Sequence, residues 1–154
     1  MEVRFIKTHK DAKMPKKNYE GIETGDAGFD MFAVEDVKIP AGSSAVVPVG
    51  LKLGFITPGY WFKIEARSGL GFKKSLFPHF RIIDNGYRGD LGVKIYNLSN
   101  EDQVIKKGRA AAQLITYKMI PTRVSWISEV ESLALSDMED IEYRGEKGFG
   151  SSDE

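Results

Sequence analysis

Apolar residues recur at every second position through most of this chain, and that spacing is the one a β-strand imposes. Within Ala45–Leu53, the residues Ala45, Val47, Val49, Leu51 and Leu53 share one face. Tyr60, Phe62, Ile64 and Ala66 repeat the pattern, with Lys63 and Glu65 opposite. Leu91, Val93 and Ile95 alternate with Gly92, Lys94 and Tyr96. Val3–Thr8, Gln103–Lys106, Gln113–Met119 and Arg123–Ile127 are further strand-like runs. Pro40-Ala41-Gly42, Thr57-Pro58-Gly59, Asn85-Gly86 and Lys107-Gly108 supply turn chemistry between them. Many short strands at this spacing build a sandwich, barrel or jelly roll. One modest helix is expected around Ser128–Leu135. Trp61 and Trp126 fall in strand-like runs and read as packing residues.

The 154 residues fit one domain able to bury its own core. The chain has no cysteine, so disulfides, thiolate nucleophiles and Cys-based zinc sites are excluded together. With 22 basic and 22 acidic residues, nothing suggests wrapping around nucleic acid. Apolar runs stay far below membrane-spanning length, and MEVRFIKTHKDAK lacks a signal core. A soluble intracellular protein, cytoplasmic or nuclear, is expected. The charge is uneven: residues 1–17 hold six Lys/Arg against two acids, and 129–154 hold nine acids against two bases. These read as solvated ends, or the first as a basic arm touching a neighbouring subunit.

Five segments combine glycine with charged or hydroxyl residues: Ala27–Asp30, Ala66–Gly71, Ile82–Asp90, Gly108–Gln113 and Arg144–Ser152. Arg67-Ser68-Gly69 offers a guanidinium, a hydroxyl and backbone N–H groups, which suit phosphate oxygens but also an ordinary turn. Asn85-Gly86 reads as a hairpin turn with Asp84 at its lip. A carboxylate there can orient and deprotonate a water, or simply stabilise the turn. Tyr87 could lay its ring against a sugar or base. In the polar, glycine-rich tail, Phe149 stands among Arg144, Ser151 and Ser152, a composition able to order on an anionic ligand. His9 and His79 show no metal-ligand spacing, and no P-loop, dinucleotide fingerprint or nucleophile elbow is present.

Taken in order from Asp26 to Ser152, these segments resemble the five motifs of the trimeric dUTPase family. The resemblance implies a distorted β jelly roll spanning 1–143, a mobile C-terminal lid over 144–154, and a homotrimer with shared active sites. It implies hydrolysis of dUTP to dUMP and pyrophosphate, clearing dUTP and supplying dUMP. By that resemblance Asp84 holds the attacking water and Tyr87 presses on the deoxyribose. Arg67, Ser68, Gly69 and Gln113 contact phosphates. Arg144, Phe149, Gly150, Ser151 and Ser152 close the lid, with Phe149 over uracil. Asp30 serves Mg2+ indirectly, through water. Four places depart from the family pattern: Ala66 for proline, Arg81 for glycine, Pro78-His79-Phe80 for a stretch often carrying asparagine, and Ala110 for a basic residue. A dCTP deaminase shares the fold but needs a glutamate where this chain has Lys94, and lysine cannot replace that proton shuttle. A regulatory dUTPase-like nucleotide-binding protein is the other alternative.

Overall fold

A computed structural model describes residues 1–138 and divides the chain into two units, Met1–Ile120 and Pro121–Glu154. The first unit is an all-antiparallel β jelly roll. Its strands are β1 (Val3–Lys7), β2 (Phe29–Phe32), β3 (Val37–Ile39), β4 (Ser44–Val47), β5 (Leu51–Ile56) and β6 (Tyr60–Glu65). A short helix α1 (Ser68–Lys74) follows, then β7 (Leu76–Pro78), β8 (Arg81–Ile83), β9 (Val93–Asn97), β10 (Gln103–Ile105) and β11 (Ala110–Lys118). Four sheets result, ordered β1-β5, β10-β3, β2-β11-β6-β8 and β4-β9-β7.

The alternation read from the sequence fills the interior. Val47, Val49, Leu51 and Leu53 are buried, as are Phe62 and Ile64, and Leu91, Val93 and Ile95. Met31, Ile39, Leu76, Ile83 and Leu114 complete one contiguous cluster. Each fully buried aliphatic side chain contributes about 1.5–3 kcal/mol relative to exposure. Outside the cluster, Trp61 and Tyr117 stack across the β6–β11 pair with centroids 4.8 Å apart.

The Ala45–Leu53 run is not one strand. It breaks at Pro48–Gly50, so β4 joins β9 while β5 joins β1. Gly50 has φ +68, and a Cβ there would lie 2.7 Å from the His9 Cβ and 2.9 Å from the Ala12 Cβ. Only glycine fits this change of sheet. The N-terminal residues are not a free arm either. Val3–Lys7 pairs with β5, and Lys16 exchanges backbone hydrogen bonds with Asp30 at 2.7 and 3.3 Å.

Asn97 is the one fully buried polar side chain among the described residues. Its amide donates to the carbonyls of Ile39 and Glu101 at 2.9 and 2.8 Å, and its oxygen accepts from the Ser99 N–H and hydroxyl. Asn97→Ala would take the amide donor from the buried Ile39 carbonyl, while the Glu101 carbonyl keeps the Ser99 hydroxyl at 3.0 Å. It is expected to lower unfolding free energy by about 1–3 kcal/mol in urea titration. Catalytic constants of the folded fraction should be unchanged.

In the second unit, residues 121–128 carry no strand, and α2 spans Glu129–Met138. The helix expected at Ser128–Leu135 is therefore present, displaced by a residue at its start. The strand expected at Arg123–Ile127 is not. Its apolar side chains need a partner strand, and Trp126 is 101% exposed in the single chain, so it does not act as a core residue there. The expected lid at 144–154 lies outside the described residues. No helix among the described residues is long and apolar enough to cross a membrane.

Candidate active site

The central strand β11 brings three of the five segments together. Gln113 pairs with Asp30 of β2 on one side and with Glu65 of β6 on the other. Glu65 ends β6 two residues before Arg67, so one register position gathers Asp30, Arg67 and Gln113. The Gln113 amide donates to the Ala66 carbonyl at 2.7 Å. Gly28 makes this possible, because a Cβ there would collide with the Gln113 side-chain oxygen. Gly28→Ala is therefore expected to push Gln113 off its position. With Gln113 in the phosphate-binding role that the family resemblance implies, the loss of one hydrogen bond to substrate predicts a rise of about tenfold in KM for a triphosphate, read by steady-state kinetics.

These residues line a polar pocket of ≈ 260 Å³ formed by Asn18, Asp26, Ala27, Gly28, Asp30, Arg67, Ser68, Gly69 and Gln113. The Arg67 Nε donates to Asp30 Oδ1 at 2.9 Å, and Asn18 Nδ2 donates to Asp30 Oδ2 at 3.3 Å. Asp26 accepts the N–H groups of Asn18 and Tyr19 at 3.0 and 3.1 Å, which folds the loop over the pocket. A neighbouring groove shares Asn18, Asp30, Arg67 and Gly69 and adds Lys73, Lys74, Lys106 and Arg109. Five cations along connected surfaces favour a polyanion over a neutral ligand.

Arg67-Ser68-Gly69 is not a simple loop. Arg67 caps α1 in extended conformation, and Ser68 and Gly69 open the helix. Ser75 ends it in the left-handed region at φ 54, with Lys73 and Lys74 in the last turn. Two glycines in seven residues cost about 1 kcal/mol each in helix propensity, so the segment carries little helical signal. Asn18, Lys73 and Lys74 were not legible as site residues. Asn18 sits in a stretch that reads as a basic terminus, and the two lysines read as solvated charge.

The third segment differs from its reading. Asn85-Gly86 does not join a hairpin. β8 pairs with β6, whereas β9 pairs with β4 and β7, so the turn carries the chain between sheets. Gly86 is not among the positive-φ glycines that a primed hairpin turn requires. Instead the Tyr87 N–H bonds to the Asp84 carbonyl at 3.0 Å. The Asn85 amide holds the turn by donating to the carbonyls of Thr57 and Tyr60 at 3.0 and 2.9 Å. Asp84 is exposed at the exit of β8. Tyr87 lines a second depression of ≈ 390 Å³ with Ile64, His79, Arg81, Asp90, Gly92 and Lys94. This depression shares no lining residue with the polar pocket. The single chain thus unites the first, second and fourth segments and leaves the third apart. Arg144, Phe149, Gly150, Ser151 and Ser152 lie outside the described residues.

Known proteins resemble this chain in sequence and in fold. The dUTPase family profile matches residues 10–153. A deoxyuridine 5′-triphosphate nucleotidohydrolase of Paramecium bursaria Chlorella virus 1 is 35% identical over 141 residues, covering 92% of this chain and 90% of the relative. That of Solibacter usitatus is 36% identical over 154 residues, covering 99% and 96%. A variant dUTPase of Staphylococcus bacteriophage 80alpha, solved with dUpNHpp, superposes with TM-score 0.79 at 28% identity, covering 98% of each chain. With a family match over nearly its whole length and relatives this similar across theirs, the chain belongs to the dUTPase family.

Proposed function

We propose that this dUTPase cleaves dUTP to dUMP and pyrophosphate by in-line attack, on the α-phosphorus, of a water held by Asp84. The observation that carries the phosphate half of the reading is the meeting of Asp30, Arg67, Ser68, Gly69 and Gln113 in one polar pocket beside a cationic groove. Arg67 offers a planar fork of donors to phosphate oxygens, Ser68 an exposed hydroxyl, and Gln113 a side-chain amide. Asp84 supplies the general base, and the Tyr87 ring forms the sugar wall. Arg144, Phe149, Gly150, Ser151 and Ser152 close over the bound nucleotide, excluding water other than the attacking one.

Each site is built between copies of the chain in a homotrimer. Two observations support this. The phosphate pocket and the Tyr87 depression are separate within one chain. Large apolar side chains also stand bare, with Phe72 at 94%, Phe80 at 76% and Trp126 at 101% exposure. Burial between copies would take these side chains out of water.

The residues present fit Mg2+ brought in by the triphosphate. Among the described residues no group of three His, Cys, Asp or Glu could hold a metal ion. Asp30 lines the pocket, but both its oxygens already accept hydrogen bonds from Arg67 and Asn18. A carboxylate so engaged would serve the ion through its water shell, with phosphate oxygens as the direct ligands. When bound, the ion neutralises charge on the departing pyrophosphate.

Deamination of dCTP finds no support. Lys94 extends from β9 at the rim of the Tyr87 depression, 5.5 Å from the Tyr96 ring, where that chemistry needs a carboxylate. The test is release of pyrophosphate from dUTP beside release of ammonia from dCTP. Pyrophosphate from dUTP alone is expected. Ammonia from dCTP without pyrophosphate from dUTP would overturn the reading.

A further inference from the structure

Arg81 opens β8, at a position where the family usually has glycine, and its half-buried side chain lines the Tyr87 depression. Its Nη2 donates to the Tyr87 hydroxyl at 2.7 Å and to the Asp90 carbonyl at 3.0 Å. Its Nη1 donates to the Gly92 carbonyl at 3.0 Å. The guanidinium carbon lies 5.2 Å from the centroid of the Tyr87 ring. The Tyr87 hydroxyl donates in turn to the Asp90 carbonyl at 2.9 Å. Gly89 leaves room for the ring, since a Cβ there would lie 2.6 Å from the Tyr87 Cζ. One guanidinium therefore touches the ring, bonds its hydroxyl and clamps the backbone that the hydroxyl also bonds. Charge-assisted bonds from a rigid fork hold geometry better than neutral, rotatable donors. Of the other polar side chains lining the depression, His79 is engaged with the Tyr96 hydroxyl at 3.0 Å, Asp90 accepts the Gly92 N–H at 2.7 Å, and Lys94 lies 5.5 Å from the Tyr96 ring.

We propose that Arg81 is a positioning residue that fixes the Tyr87 ring and so sets this enzyme's discrimination between deoxyribose and ribose triphosphates. The proposal rests on the reading of Tyr87 as the sugar wall. A ring held by its hydroxyl and its face cannot turn aside to admit a 2′-OH. A ring released from Arg81 can rotate about its side-chain torsions and widen the depression.

The test measures kcat/KM for dUTP and for UTP in the full-length chain and in Arg81→Ala, Arg81→Lys and Tyr87→Ala. Arg81→Ala should lower the dUTP/UTP ratio by about tenfold or more, the scale of a lost charge-assisted hydrogen bond. The change should appear in KM for dUTP and in kcat/KM for UTP rather than in kcat for dUTP. Millimolar methylguanidinium should restore the ratio in Arg81→Ala, as it would not in a variant that is merely misfolded. Arg81→Lys keeps the charge but loses the fork, so the ratio should fall by a smaller factor. That variant carries the test if the alanine variant does not fold. A wild-type ratio in both Arg81 variants beside a collapsed ratio in Tyr87→Ala overturns the role of Arg81 alone. A wild-type ratio in Tyr87→Ala overturns the sugar-wall reading and the proposal with it.

Discussion

Asp84→Asn is expected to lower kcat for dUTP by about 10²–10⁴, the range for loss of a positioned general base. The substitution keeps the size of the side chain and most of its hydrogen-bonding capacity, and removes only the basic oxygen. Nothing that shapes the turn depends on that oxygen. The turn is closed by the Tyr87 N–H on the Asp84 carbonyl and held by the Asn85 amide on Thr57 and Tyr60. Asp84 is exposed, so the change in stability should stay within about 0.5 kcal/mol. The melting temperature should then move by no more than about 2 °C. KM should change far less than kcat, because in the proposed mechanism Asp84 acts on water rather than on the nucleotide. Pyrophosphate release under saturating dUTP, with a thermal melt beside it, gives both readings. Turnover near wild type would remove Asp84 from the mechanism.

The fold was legible where burial alone decides the side chain. Phe62 and Ile64, or Val93 and Ile95, face the core because every second residue of a strand must, whatever that strand pairs with. Pairing was less legible, because it is decided by groups far apart in sequence. The alternation in Ala45–Leu53 runs unbroken through Gly50, yet the chain changes sheets there, at a positive-φ glycine whose missing side chain lets His9 and Ala12 approach closely. The same limit misled the reading of Asn85-Gly86. Dipeptide chemistry favours a hairpin, but Asn85 spends its amide on Thr57 and Tyr60, and the flanking strands go to different sheets. The run at Arg123–Ile127 has strand chemistry without a partner strand in one chain, which periodicity cannot reveal.

The site follows the same division. Residue chemistry marked Arg67, Ser68 and Gly69, and the family resemblance alone marked Asp30 and Gln113. Their meeting depends on the register of β11 with β2 and β6, since a shift of one residue would turn Gln113 to the opposite face. Arg81 was visible only as a departure from a pattern. Its function as a clamp on Tyr87 needed the three carbonyl and hydroxyl partners that the folded chain presents to it.

Two inactive variants are expected to rescue one another if each site draws Asp84 and the closing residues from different copies. The first is Asp84→Asn with residues 144–154 intact. The second keeps Asp84 and ends at Tyr143, so it lacks Arg144, Phe149, Gly150, Ser151 and Ser152. The truncation removes none of the buried core residues of Met1–Ile120, so the body should fold. Its own activity should nonetheless drop by at least about a hundredfold, because a site left open to water loses both phosphate donors and electrostatic strength. Denatured together in equal amounts and refolded, the two chains should assort at random into rings that repeat one interface. A site then receives a good Asp84 with probability about one half and good closing residues with probability about one half, independently. About a quarter of the sites should be whole, and activity should return to about that fraction of wild type. Mixing the two folded preparations without denaturation supplies the control, since no exchange gives no recovery. If both elements came from the same copy, every site in a mixed ring would lack one of them, and the refolded mixture would stay at the background of the separate variants.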